Sequence, residues 1–107
     1  MRSMFYGCES LTNIDLSTFN AKNVTDMSYM FFKCKSLTNI DLSNFDTKNV
    51  LIMDCLFKNC DSLKKVDLTN FNTENVINMD GLFDNCTNLK TENIITDDEG
   101  IKQYISN

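Results

Sequence analysis

The sequence predicts an α/β solenoid, a stack of short parallel strands joined by short helical turns and closed by a C-terminal capping helix. One observation is the identity between residues 11–36 and 37–62, which agree at 15 of 26 positions. A fixed period in this range is typical of arrays in which each unit buries its apolar face only against its neighbours. Four cysteines keep the same period of 26 residues: Cys8, Cys34, Cys60 and Cys86.

The first half of each unit predicts a strand. In residues 36–45, SLTNIDLSNF, apolar side chains alternate through Ile40 and Leu42, which is the period of a half-buried strand. An Asn- and Asp-rich segment at 46–49 then predicts a turn. We call each set of residues 26 apart a column. The apolar columns are Leu11, Leu37, Leu63 and Leu89; Phe19, Phe45 and Phe71; and Met1, Met27, Met53 and Met79.

The second half of the unit fits two local structures. In residues 23–34, NVTDMSYMFFKC, apolar residues recur every three or four positions, which is a helical period. A short strand over 24–27 followed by one helical turn fits equally well. We favour the strand and turn because Val, Thr and Asp are poor helix formers from the start to the middle of a helix.

We divide the chain into a repeat region, 1–95, and a cap helix, 96–107. Glu92 and Asp97 fall in apolar columns, so we expect the repeat to end there, because an unpaired carboxylate in the core would be costly. Residues 96–99, TDDE, match a capping box, and the apolar spacing after them predicts a helix that covers the last unit. The repeat region comprises a half unit at 1–10, units at 11–36, 37–62 and 63–88, and a partial unit at 89–95.

Composition narrows the classes of function. The 107 residues carry a net charge of −5 with scattered basic residues, whereas nucleic-acid binding favours a basic stripe. Histidine is absent, which removes the commonest general base and metal ligand. No apolar run is long enough to span a bilayer, and the first residues do not match a secretory signal. We therefore expect no enzyme, no cofactor, no nucleic-acid partner and no membrane span.

Two polar or reactive columns are candidates for chemistry. We expect the four column cysteines to be buried, reduced packing residues, because a straight column suits neither relaxed disulfides nor tetrahedral zinc. Cys55 lies outside that column, and we expect it to be exposed. The column of Asp15, Asp41 and Asp67 should face outward. A local structural role is favoured for these carboxylates over a cation site, because calcium needs six to eight oxygens around it.

The outward strand positions are the candidate partner-binding face. They vary between units while the apolar frame stays constant, which is where a repeat protein keeps its specificity. We also expect the asparagine column, Asn23, Asn49 and Asn75, to bond the backbone of the next unit. The nine residues of the candidate face are Thr12, Asn13, Asp15, Thr38, Asn39, Asp41, Lys64, Lys65 and Asp67.

The recurring pattern N-V-x-x-M-x-x-M-F-x-x-C-x-S-L-x-x-I-D-L-S-x-F resembles the 26-residue leucine-rich-type repeat of BspA-like surface proteins of bacteria, mycoplasmas and some protists. The resemblance covers roughly residues 1–91. It implies a leucine-rich-repeat-like solenoid and a cell-surface adhesion module that binds a protein or glycan on host or bacterial surfaces. No binding residue transfers from the family, because the motif describes scaffold positions.

A second function stays open beside adhesion. An intracellular structural or self-associating scaffold agrees with the missing signal sequence. It also agrees with the N-terminal half unit, whose uncovered strand edge and aromatic residues are suited to pairing with another copy. The resemblance implies the cell surface, while the sequence itself leaves the localisation unassigned.

Overall fold

The structure is a computed structural model, and it describes residues 2–106. Met1 and Asn107, the first residue of the expected half unit and the last of the expected cap helix, lie outside the described residues. Three short strands form one parallel sheet in the order β1-β2-β3. The elements are β1 (Asn39–Asp41), β2 (Lys65–Asp67), one turn of 3-10 helix (Thr91–Asn93), β3 (Ile94–Ile95) and α1 (Glu99–Ser106).

The register of β1 against β2 equals one repeat. Ile40 pairs with Val66, and Asp41 pairs with Asp67. Both apolar residues are buried, because alternate side chains of a strand point to opposite faces and these two point into the core. Equivalent residues of two successive units therefore lie side by side.

The third strand lies where the strict 26-residue period breaks. Val66 pairs with Ile94, 28 residues later, rather than with Glu92. The 3-10 turn at Thr91–Asn93 takes up the two additional residues and leaves Glu92 exposed. Ile94 is buried in its place. A local slip of two residues therefore removes the carboxylate from the core and carries the sheet through Ile95.

The second half of each unit is built from tight turns, where we expected a helical turn. A parallel bridge joins Asp26 to Ile52, and another joins Ile52 to Asn78. In the unit 11–36, the amide of Met30 then bonds the carbonyl of Met27 at 3.3 Å. The residue between them, Tyr29, has a φ of 58°. A bond from i+3 to i with positive φ at i+2 is the arrangement of a type II turn.

A second turn of the same kind follows at once. The amide of Cys34 bonds the carbonyl of Phe31 at 3.2 Å, and Lys33 has a φ of 62°. These left-handed positions recur every 26 residues, although a side chain there is strained relative to glycine. One column comprises Ser3, Tyr29, Cys55 and Gly81. The other comprises Gly7, Lys33, Asn59 and Asn85.

Successive units are tied together along these turns. The amide of Met27 donates to the carbonyl of Ile52 at 2.8 Å, and that of Phe31 donates to Leu56 at 3.0 Å. The amide of Met53 bonds Asn78 in the same way at 2.9 Å. Alternate amides thus bond within their own turn and to the following unit, which satisfies backbone groups that lie outside the strands.

Phenylalanine rings form a continuous stack through the core. Phe5, Phe31, Phe57 and Phe83 follow one another with ring centroids 5.5, 5.6 and 5.4 Å apart and nearly parallel planes. Phe31 and Phe57 are fully buried. Because aromatic side chains bury large areas, this stack contributes strongly to packing between the units.

Helix α1 packs against the final unit. Ile101 is buried, and the Tyr104 ring lies 6.4 Å from that of Phe83 at the end of the stack. The Tyr104 hydroxyl accepts a hydrogen bond from the amide of Leu82 at 3.0 Å. The helix is capped by Asp98, whose carboxylate accepts from the Ile101 amide at 2.9 Å. The cap residue is therefore Asp98 instead of the Thr96 that the capping-box pattern favours.

Candidate functional site

The sheet brings together four of the nine candidate face residues. The register places Asn39 beside Lys65 and Asp41 beside Asp67. Their side chains alternate with Ile40 and Val66, which are buried. The outward surface of β1 and β2 is therefore polar, with two carboxylates and one ammonium group on adjacent strands.

A depression of about 390 Å³ lies against these residues. Asn13 of the preceding unit and Asn39, Asp41, Lys65 and Asp67 line it. It exists because residues 12–15 do not pair with β1 as β2 does. One backbone bond in residues 2–106 joins the two segments, from the Thr38 amide to the Thr12 carbonyl at 3.4 Å.

The other four candidate residues lie outside the depression. Thr12, Asp15 and Lys64 are exposed, and Thr38 is partly buried just before β1. The structure thus divides the predicted face into five residues that share one depression and four around it.

The aspartate column has a local role in every unit. One carboxylate oxygen of Asp15 accepts the Ser17 amide at 3.0 Å, and Asp41 accepts the Ser43 amide at 2.9 Å. Asp67 accepts the Thr69 amide at 3.0 Å. These are Asx-turns, which end the strand segment of each unit.

Those hydrogen bonds also favour the charged carboxylates. The Ser43 hydroxyl and amide hold the pKa of Asp41 below its ordinary value of 3.8, with a smaller contribution from the Lys65 charge. The Ser17 amide and hydroxyl lower the pKa of Asp15 in the same way. Both carboxylates therefore carry a negative charge at neutral pH. Within residues 2–106, no three His, Cys, Asp or Glu side chains are grouped closely enough to hold a metal ion.

The column cysteines are thiols that pack against the phenylalanine stack. The Cys60 Sγ donates to the carbonyl of Phe31 at 3.0 Å, and the Cys86 Sγ donates to that of Phe57 at 2.9 Å. Cys34 bonds the Phe5 carbonyl at 3.2 Å. Burial raises the pKa of Cys34 to about 11, so its reactive thiolate form is disfavoured.

Two cysteines are more accessible. Cys8 and Cys55 are each partly buried and free. Cys55, which we expected to be exposed, occupies a left-handed turn position. A Cβ atom on the next residue of its column, Gly81, would lie 3.1 Å from the Cys55 Sγ. The thiol therefore lies along the surface of the following unit, which explains its partial burial.

Asparagine side chains bond across units at the turns. The Nδ2 of Asn49 donates to the Lys22 carbonyl at 2.8 Å, and that of Asn75 donates to the Lys48 carbonyl at 2.8 Å. Asn49 and Asn75 therefore bond the backbone of the preceding unit, where we expected bonds to the next one.

Sequence reasoning missed an exposed aromatic cluster on the turn surface. Tyr6, Tyr29 and Phe32 contact one another there. The available signal was the absence of aromatic residues from the same columns in the later units, which carry Lys58, Asp84, Cys55 and Gly81.

The family can be stated from the sequence match. A family model described as "Mycoplasma protein of unknown function, DUF285" matches residues 1–98. The chain belongs to the DUF285 family. Comparison with curated proteins and comparison with solved structures each gave no match. Membership covers the repeat units and β3 and ends just before α1.

The structure also bears on membrane association. Of the helices described within residues 2–106, none has the length and apolar character required to cross a bilayer.

Proposed function

We propose that this DUF285 chain is a non-catalytic binding module of the BspA-like surface type, with its units stacked as a leucine-rich-repeat-like solenoid. The observation that carries the proposal is the register of β1 and β2, in which like positions of successive units meet. Ile40 and Val66 form a constant buried frame, while Asn39 and Lys65 differ on the outer surface. A constant core with a variable polar face is the arrangement that repeat proteins use for recognition.

The depression on this face suits a polar partner. Two carboxylates, one ammonium group and two side-chain amides offer both donors and acceptors to a protein or glycan. The Asp41 oxygen that accepts the Ser43 amide is committed to the turn. Lys65 and Asn39 are therefore the residues with the most freedom to contact a ligand.

The size of the face predicts weak binding by a single copy. Three strands of two or three residues, ~4.8 Å apart and rising ~3.3 Å per residue, give a sheet that offers roughly 150 Å², well below the ~800 Å² per partner of a standard interface. Adhesion by such a module depends on several copies acting together, because linked sites raise the effective concentration for each other.

A glycan array and a panel of surface-protein fragments, probed with a multimeric form of the chain, test the proposal. A double variant, Asn39→Ala with Lys65→Ala, should lose the signal. A matched double variant on the turns, Lys48→Ala with Asn44→Ala, should keep it. Retention of binding by the first variant, or loss by the second alone, contradicts a sheet-face site.

Self-association through the N-terminal edge is the second candidate. Met4 and Tyr6 are 50% and 51% exposed, a large apolar exposure at one end of the stack. A scaffold of this kind would show concentration-dependent dimers in sedimentation experiments, and Met4→Lys would abolish them. A monomer at high concentration excludes this alternative.

A further inference from the structure

We propose that the exposed aromatic cluster, Tyr6, Tyr29 and Phe32, binds an acidic sugar with the help of Arg2 and Lys33. This site lies among the turns and is separate from the sheet face. The inference does not rest on the proposed function of that face.

The rings form one connected surface. The centroids of Tyr6 and Phe32 lie 4.8 Å apart in a stacked arrangement, and Tyr29 meets Phe32 edge-on at 5.3 Å. Tyr6 is about half exposed, and the other two rings are partly exposed. Tyrosine offers a large, rigid contact area with a polar group at its tip, which costs little entropy on binding.

Two cations lie against this surface. The Arg2 guanidinium carbon is 5.5 Å from the Tyr29 ring centroid, and the Lys33 Nζ is 5.3 Å from that of Phe32. Within residues 2–106, neither side chain forms an ion pair. Neither charge is held in a salt bridge there. Although burial raises the pKa of Asp26, hydrogen bonds and the nearby Arg2 charge outweigh this and lower it, so an anionic ligand competes with Asp26 for the Arg2 charge.

The repeat scaffold does not require aromatic residues at these positions. The column of Tyr6 and Phe32 continues with Lys58 and Asp84, and that of Tyr29 continues with Cys55 and Gly81. The later units make the same turns without rings. The aromatic cluster is therefore a local addition to the scaffold, as expected for a binding site.

The chemistry of the cluster favours an acidic sugar over other anions. A sugar ring can place its C–H face on an aromatic ring while its carboxylate bonds Arg2 or Lys33 through charge-assisted hydrogen bonds. Nucleic acid favours a longer basic stripe, and the chain carries a net charge of −5. Anionic membranes recruit clusters of about four to eight basic residues. A peptide that binds by adding a strand needs an open strand edge, which these turns do not supply.

The test is a titration of the full chain, followed by two-dimensional amide NMR. The probe is a tetrasaccharide of alternating glucuronic acid and N-acetylglucosamine, and the neutral control is the N-acetylglucosamine tetramer. We expect shifts centred on Tyr6, Tyr29 and Phe32, with the neutral sugar at least about tenfold weaker because it lacks the charge-assisted bonds. Equal affinity for the two sugars, or no shifts with the acidic one, overturns the proposal.

Variants that copy other units separate binding from folding. Phe32→Lys introduces the residue of Lys58, and Lys33→Asn introduces that of Asn59 and Asn85, so both changes suit the stack. Each should weaken the acidic sugar about tenfold while the circular dichroism spectrum stays unchanged. Lys65→Ala on the sheet face should leave the affinity unaltered. Full binding by Phe32→Lys, or a loss caused by Lys65→Ala, refutes this site without bearing on ligands of the sheet face.

Discussion

The heptapeptide Leu-Thr-Asn-Ile-Asp-Leu-Ser occurs twice, at 11–17 and 37–43, and has two different structures. The second copy contains β1, and its Leu37 and Ile40 are buried. The first copy contains no strand, and Leu11 is 38% exposed. In the part of the chain that the structure describes, the second copy is paired with β2 and the first is not. The heptapeptide alone therefore does not decide whether the strand forms, because β1 forms with β2 as its paired neighbour while the same residues at 11–17 stay unpaired within residues 2–106.

One part of the heptapeptide is the same in both copies. Asp15 accepts the Ser17 amide at 3.0 Å, and Asp41 accepts the Ser43 amide at 2.9 Å. The Asx-turn is a contact between residues two apart, so it needs no neighbouring unit. The comparison separates a turn encoded locally from a strand that depends on its neighbours.

The largest expected difference between the two units is in their phenylalanines. Phe45→Ala should lower the free energy of unfolding by about 3–5 kcal/mol, because this ring is buried in the core between successive units. Phe19→Ala should cost roughly 1–2 kcal/mol, because Phe19 is only partly buried. Urea denaturation measures both. Equal losses would mean that the two units are packed to the same extent.

The leucines that begin the two heptapeptides give the next comparison. Leu37→Ala should cost about 2–5 kcal/mol, because the side chain is fully buried. Leu11→Ala should cost under about 1 kcal/mol, because Leu11 is exposed. Thermal unfolding of the two variants beside the parent chain provides the measurement. A larger effect at Leu11 would contradict the difference in burial.

Completing the half unit at 1–10 should remove the difference between the two copies of the heptapeptide. A duplicate of residues 11–26 placed before Met1 would supply a strand half for the preceding unit, and we expect residues 13–15 to pair as β1 does. Hydrogen exchange measures this at the Leu16 amide, whose equivalent in the second copy, the Leu42 amide, bonds the Asp67 carbonyl at 2.9 Å. Protection at Leu16 should rise at least about tenfold. Unchanged exchange would show that the first copy resists pairing for a reason within its own unit.

The smallest difference between the two copies should be in the pKa values of their aspartates, Asp15 and Asp41. The pKa of Asp15 and that of Asp41 both lie below 3.8, because Ser17 and Ser43 bond the charged forms. A lowered pKa stabilises the fold above the unfolded value, and this stability is lost as the pH falls through the folded value. NMR titration below pH 5 should place both groups below 3.8 and close to each other. A normal pKa at Asp15 alone would show that the Asx-turn also depends on stacking.

The periodic features were the part of the fold that sequence could predict. Alternation at Ile40 and Val66 identified strands whose paired register is one repeat, because burial on one face follows a period of two. The slip that pairs Val66 with Ile94 could not be predicted. Strict periodicity assigns Glu92 to that position. The cost of burying a carboxylate showed only that the 26-residue spacing must break there, and not that it would become 28.

The turns were beyond prediction for a different reason. Tyr29 and Lys33 are left-handed, yet neither residue type signals positive φ. Gly81, Asn59 and Asn85 in the same columns are the residues that tolerate this conformation. The amides of Tyr29 and Lys33 bond the carbonyls of Asp54 and Lys58 in the next unit, and these bonds override the preference of the single residue.

At the candidate face, the strand period indicated which side chains point outward, while the depression arises from the unpaired first heptapeptide. The identity of that heptapeptide with the second copy gave no reason to expect a gap. The burial of Cys34, Cys60 and Cys86 was accessible to sequence reasoning because it follows from position in the unit, whereas Cys8, expected to be buried with them, is only partly buried. The hydrogen bond from Cys60 to the Phe31 carbonyl could not be predicted, because it depends on the turn geometry.

The 3-10 turn at Thr91–Asn93 has an evolutionary consequence. It accommodates two surplus residues at the rim of the structure while Ile94 still reaches the interior. Small insertions and deletions at this connection can therefore accumulate among descendants without changing which side chains reach the interior. Lineages that diverge in length here should keep the same interior, and this loop is a practical place to graft a foreign epitope.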